Sequence, residues 1–288
     1  MSEAADTSAL ATFEAKWGAI HPELALALRF VDPGRRRAHS AFACLVCELE
    51  HAAFAIREAE PAMIKLQWWA EEFARIGAGE ARHPLTQALA DEPAFATLPF
   101  VRWHAVVIGA IAQRDPEPAP DRALLLQGYA ALYRPLALIE AALFVPTSLA
   151  ATSFSSTSAD SVARVRILSR ALRETAGLAN ALRDGRLPLP LDVLARHRLA
   201  RGELAHKSPQ QLAALREWLV ALGSIPEPGV GLDMGLGALA AATASADRWR
   251  AQWAARANDP LATLNVALAR VPLRAVLATW RAARRSRG

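Results

Sequence analysis

Apolar residues recur at helical spacing along almost the whole chain, in stretches cut by glycine and proline. Nowhere do Val, Ile, Thr and Tyr alternate with polar residues as a half-buried strand requires. Ala and Leu dominate these stretches, and both lose little on entering a helix, so the fold class is all-α. Helices are predicted near 8–17, 22–30, 38–57, 62–77, 84–90, 94–113, 121–144, 159–184, 191–200, 208–222, 236–257 and 261–285. Breaks fall at Asp32-Pro33-Gly34, Glu60-Pro61, Gly77 to Gly79, Pro116 to Pro120, Ser153 to Ser158 and Pro226 to Gly231. The Ser/Thr-rich piece from Thr152 to Ser161 is expected to be a loop, because its side chains compete for backbone hydrogen bonds. Ser158 or Asp160 then caps the next helix. A chain of 288 residues can bury a real core, and no linker divides it, so 1–288 reads as one domain, with 272–288 a basic C-terminal helix and tail.

The net charge is +5, carried by arginine, since Lys16, Lys65 and Lys207 are the only lysines. For most of the chain the arginines are scattered among acids, with no basic stripe interleaved with aromatics, which argues against a nucleic-acid partner. Only the tail concentrates positive charge, at Arg274, Arg281, Arg284, Arg285 and Arg287. With Trp280 it predicts peripheral contact with an anionic lipid surface. Cys44 and Cys47 make no disulfide framework, as expected in a reducing cytoplasm. The N-terminus has no apolar signal core, and no segment has about 20 uninterrupted apolar residues, so a soluble or peripheral protein is expected.

Two carboxylates at i and i+4 stack on one helix face and can share Mg²⁺. The only such pair is Glu117 and Asp121, in a loop broken by Pro116, Pro118 and Pro120. Glu48 with Glu50, and Glu58 with Glu60, are two apart and point about 200° from each other, as solvated charges do. Cys44, Cys47 and His51 share a helical face at i, i+3 and i+7, but no second cysteine pair completes a metal site, so a core role is expected. His197 and His206 lie near Arg196, Arg198 and Arg201, as either an anion-binding segment or a surface loop. Trp68 with Trp69 and Trp249 with Trp253 read as packing anchors, one ring of each adjacent pair facing away. No phosphate-binding glycine loop or nucleophile elbow occurs.

Three segments carry a resemblance. The first runs from Glu50 to Pro61, then Ile64-Lys65-Leu66-Gln67-Trp68-Trp69 and His83-Pro84-Leu85. The second is Tyr129 followed by Ala171 to Leu191, where Asn180, Leu182, Arg183 and Asp184 fit N-x-L-R-D, and Gly185-Arg186 with Leu189-Pro190 fit G-R-x-Y-L-P, Pro188 standing in place of Tyr. The third is Pro272 to Arg281, containing Trp280. In this order they resemble the squalene/phytoene synthase superfamily, and more closely its divergent branch that includes the mitochondrial complex I assembly factor of that fold.

The resemblance implies a single-domain isoprenoid-synthase-like helical bundle. Active members hold magnesium on Asp-rich motifs of facing helices. Here the early motif reads Cys47-Glu48-Leu49-Glu50-His51, the acids that should follow Asp184 are missing, and the glutamine three residues before Asn180 is Gly177. Glu50, Asn180, Arg183 and Asp184 are therefore the degenerate motif positions, Lys65, Tyr129 and Arg186 are candidate ligand-binding residues, and no metal or other cofactor is expected. The reading that follows is a noncatalytic lipid- or prenyl-binding, or assembly, factor whose partners are a prenyl or lipid ligand or a protein. The alternative is an active Mg²⁺-dependent prenyl transferase joining two prenyl diphosphates head-to-head to a thirty- or forty-carbon isoprenoid, Asp184 and Glu50 sharing a reduced metal site. A third, an unrelated helical scaffold, predicts a bundle with no cavity.

Overall fold

The computed structural model describes residues 2–144, 154–224 and 234–285, and these contain helices and connections but no strand. The first half runs α1 (Ser2–Ile20), α2 (Pro22–Leu28), α3 (Arg36–Glu50), a π turn (His51–Ala55), α4 (Ala59–Ile76), α5 (Pro84–Leu89), α6 (Phe100–Ala112) and α7 (Arg122–Phe144). The second half runs α8 (Phe154–Ala176), α9 (Leu178–Arg183), α10 (Leu191–Arg196), a 3₁₀ turn (Arg201–Ala205), α11 (Pro209–Gly223), α12 (Met234–Ala255), α13 (Pro260–Leu268) and α14 (Leu273–Arg285).

Helix α3 is the hub. Every residue from Ala38 to Leu49 is buried, and small side chains such as Ala41, Ala43 and Cys44 let neighbouring helices approach. Its last turn widens into the π turn, so the predicted 38–57 helix ends as α3 at Glu50. Helix α4 buries Ala62, Leu66, Trp69, Phe73 and Ile76, one stripe at helical spacing. Trp69 is buried and Trp68 is not, as their adjacency demands. Trp69, Phe73 and Trp103 continue as a stack with ring centroids 5.5 and 4.6 Å apart, joining α4 to α6. Buried Glu72 accepts from the backbone N–H groups of Arg82 and His83 at 2.8 Å each, which pins the turn leading into α5. Where α6 crosses α7, a Cβ on Gly109 would lie 2.1 Å from the Ala131 carbonyl oxygen, so this crossing needs glycine.

The predicted 159–184 helix breaks at Gly177 into α8 and α9. The segment expected to be a loop, Thr152–Ser161, is helical from Phe154, and Ser158 and Asp160 lie inside α8 rather than capping it; residues 152 and 153 are outside the described residues. Ala159, Val162 and Ala163 are buried where α8 packs along α7, and that packing overrides the local Ser/Thr preference. The predicted 261–285 helix is two helices, because Pro272 cannot donate to a continuing ladder. The predicted break at Pro226 to Gly231 lies outside the described residues.

Candidate functional site

Helices α2, α3, α7, α8 and α12 converge on a central cavity of about 60 Å³. Its polar lining is His21 and Glu23 at the start of α2, Cys47 and Glu50 on α3, Glu140 on α7, and Arg166, Arg170 and Arg173 on α8. Val46, Val162, Val165 and Leu239 supply apolar wall. The three arginines recur at i, i+4 and i+7 and so share one face of α8.

Charge in and around this cavity is matched pairwise. Arg166 Nη2 donates to both Glu140 carboxylate oxygens, at 2.9 and 2.8 Å. Arg170 pairs with Glu174, whose other oxygen receives Arg186 Nη1 at 2.6 Å. Arg173 and Arg250 both reach Glu23, at 2.8 Å each, and Arg250 holds Asp247 at 2.7 Å. Five guanidinium groups thus engage four carboxylates, and Glu50 adds the fifth negative charge of the region. Burial opposes ionisation of Glu23, but the nearby His21 and the charges of Arg173 and Arg250 prevail and hold its carboxyl far below the usual range. Burial likewise opposes charge on Arg170, yet Glu174 keeps its guanidinium above the ordinary arginine range. The Nε donors of Arg166, Arg170 and Arg173 are buried and find no acceptor among the described residues, so an oxyanion or ordered water would satisfy them.

Sequence candidates scatter over this frame. Glu50 reaches the cavity, and Tyr133 donates its hydroxyl to Glu50 Oε1 at 2.7 Å. Asn180, Arg183 and Asp184 lie at the surface on α9 and its C-terminal cap. Arg183 bonds the Asn180 side chain, while Asp184 lies 3.4 Å from Arg57 and 3.7 Å from Arg186. Lys65 is held elsewhere: it and Lys16 donate to the two oxygens of Glu48, at 2.6 and 2.7 Å. Tyr129 and Arg186 do come together, with Phe54, Glu174 and Leu187, around a second cavity of about 50 Å³. Burial pushes the Tyr129 phenol up, keeping it neutral. Arg196 and His197 are engaged by Glu217 at 2.6 and 2.7 Å, which fits the surface-loop reading of that segment.

The Cys44, Cys47 and His51 set also separates. Cys44 borders a different cavity with Trp17 and Leu24, and burial pushes its thiol up to about 12. His51 sits against Trp17, and burial, then Lys65 and Lys16, lower its affinity for a proton. Sequence reasoning missed His21, Glu23, Glu140 and the α8 arginines. The signal was present in the 166, 170, 173 spacing, hidden by an arginine-rich composition.

Magnesium, which the resemblance implies, does not fit the donor set of the described residues. Mg²⁺ takes octahedral oxygen ligands, usually with one or two free carboxylates. Among the described residues, Glu23, Glu140 and Glu174 are committed to guanidinium groups, which leaves Glu50, and Asp184 is at the surface.

The family model for squalene/phytoene synthase matches residues 20–223. No curated protein matches the chain. Among solved structures the chain is similar to a dehydrosqualene synthase in complex with ligand, at TM-score 0.65 and 12% identity over 91% of this chain and 96% of that one. It is also similar to squalene synthase HpnC from Alicyclobacillus acidocaldarius, at TM-score 0.54 and 12% identity over 99% and 97% of the two chains.

Proposed function

The chain belongs to the squalene/phytoene synthase family, and we propose that within it this protein is a noncatalytic member, binding the anionic head of a prenyl or lipid molecule in an accessory or assembly role. The observation that carries this is the commitment of the cavity's carboxylates to arginine. Ionising a prenyl diphosphate inside an apolar bundle needs metal ions on the leaving group, and the acids that would hold them already neutralise guanidinium groups. The arginine-lined cavity, at about 60 Å³, is itself well below the roughly 300–1,000 Å³ of sites for drug-sized ligands, and a neighbouring cavity of about 230 Å³ shares Leu24 and Ala43 with it. The unmatched Nε donors on α8 suit an oxyanion, so a phosphate head is accommodated better than a prenyl tail.

The accessory role, and placement beside the branch that includes the complex I assembly factor, rest on the L-Q-W-W and H-P order at 66–69 and 83–84. Peripheral membrane contact belongs to the same proposal. Leu273, Leu277 and Trp280 are exposed at i, i+4 and i+7 on α14, flanked by exposed Arg274, Arg281 and Arg284. Among the described residues no single helix is long and apolar enough to cross a membrane.

The test is incubation of the purified chain with radiolabelled farnesyl and geranylgeranyl diphosphates, Mg²⁺ and a nicotinamide reductant, beside an active family member. The expected result is no apolar product. Product that vanishes on chelating Mg²⁺, and that Asp184→Asn abolishes, overturns the noncatalytic reading.

A further inference from the structure

The central cavity holds one group of side chains that the arginine network leaves unused. The ligand atoms of His21, Cys47 and Glu50 all lie within 4.8 Å of one another. We propose that these three side chains form a binding site for a zinc-class divalent transition metal, with the fourth coordination position facing the cavity.

The donor set is one imidazole, one thiolate and one carboxylate, the mixture zinc and its neighbours accept and magnesium does not. At metal–ligand distances of about 2.0–2.3 Å, tetrahedral geometry puts ligand atoms about 3.5 Å apart. The present spacing therefore closes by little more than about 1 Å of side-chain movement.

The supporting shell is already built. Cys47 and Glu50 are one turn apart on α3, the most buried helix of the bundle, so their relative position is rigid. Tyr133 fixes Glu50 through Oε1, and Oε2 has no hydrogen-bond partner among the described residues. His21 Nδ1 lies 3.6 Å from Glu23 Oε1, the carboxylate–imidazole arrangement that orients a metal-bound histidine and leaves Nε2 for the ion. Glu23 is itself anchored by Arg173 and Arg250.

Charge permits the ion. Among the described residues Glu50 is the cavity carboxylate with no ion-pair partner, whereas Glu23 and Glu140 are matched to arginines. Burial, then the charge of Glu50, pushes the Cys47 thiol well up, with Arg166 and Arg173 opposing that shift, so the thiolate forms only as the ion binds and displaces its proton to solvent. Cys47 and Glu50 are then the two anionic ligands of the ion, and because Glu50 already counts against the five guanidinium groups, an anion such as hydroxide in the fourth position balances the charge that remains.

This inference goes beyond the accessory reading and does not need it: turnover of a prenyl diphosphate would refute that reading and leave this one standing. The full chain, stripped with chelator, is titrated with Co²⁺ and then challenged with Zn²⁺. The expected result is one equivalent of bound cobalt with a thiolate-to-cobalt charge-transfer band in the near ultraviolet, displaced by Zn²⁺. Cys47→Ser removes the band, Cys44→Ala keeps it, and Tyr133→Phe weakens binding by about tenfold. No band with the wild-type chain, or a band that survives Cys47→Ser, overturns the proposal. If Cys47→Ser does not fold, His21→Gln and Glu50→Gln decide: affinity within tenfold of wild type in both overturns it, and a larger loss in both supports it.

Discussion

Glu23 and Glu48 each receive two cationic side chains, yet the two clusters do different things. Around Glu23 the charges are sealed in. Arg250 is fully buried, Glu23 is 1% exposed, and Arg250 also donates to the carbonyls of Ala267, Leu268 and Arg270, tying α2, α8, α12 and the end of α13 together. Around Glu48 the carboxylate is buried, but Lys16 is 47% and Lys65 28% exposed, so the cations reach water. The first arrangement fixes what the cavity can hold. The second is a partly solvated tether between α1, α3 and α4.

The largest expected effect breaks the first cluster. Arg250→Met leaves Glu23 and Asp247 buried with fewer counter-charges and should cost about 3–5 kcal/mol, the usual loss when one partner of a buried pair is removed. Lys16→Met should cost no more than about 1 kcal/mol, because that ammonium is nearly half exposed and Lys65 still holds Glu48. Urea unfolding of both variants measures the contrast. Equal losses would mean that burial does not separate the clusters.

Acid sharpens the same comparison. Both carboxyls are held low in the folded state: burial opposes this, but their cationic and hydrogen-bonding partners prevail. Each therefore contributes stability that is present above the ordinary carboxylate pKa and lost as pH falls through the folded value. His39 titrates earlier. Burial, then the charge of Arg35, lowers it to about 3, and its ring stacks on Phe144 at 3.8 Å. The unfolded chain takes up that proton first, so stability falls as pH drops from about 6.5 toward 3, by up to about 1.4 kcal/mol per pH unit. His39→Gln should flatten the stability profile in that window relative to wild type, whatever it costs at pH 7. An unchanged slope would remove His39 from the acid response.

These contrasts also explain what was legible in the sequence. Helix class and most helices follow from periodicity, because a buried stripe such as that of α4 is a local signal. Misplaced boundaries fall where packing overrides composition, as in α8, or where one residue cuts a periodic run, as at Gly177 and Pro272. Motif reading singled out Glu50, which lines the central cavity, and Tyr129 and Arg186, which line the second one. It did not find that Asp184 would lie at the surface, or that Glu23 and Arg250, 227 residues apart, would meet. Spacing along one helix is visible in a sequence; which acid a distant arginine meets depends on the crossing of helices.

The smallest expected effect concerns a third set of cations, those on α14. Unlike the cavity arginines they are exposed, and Arg284 lies 4.8 Å from the centroid of the Trp280 ring, beside exposed Leu273 and Leu277. An apolar strip edged by solvated guanidinium groups can enter a headgroup layer with its charges meeting anionic lipid. Sedimentation with phosphatidylserine-containing vesicles should pellet the protein at low salt and release it at high salt, since charges facing water are screened within about 10 Å at 0.1 M ionic strength. Trp280→Ala should halve the pelleted fraction without altering the urea midpoint, because the ring is 44% exposed and adds little to the core. Pelleting that ignores both salt and Trp280 would assign the contact to another surface. No pelleting at all would leave α14 a solvated helix.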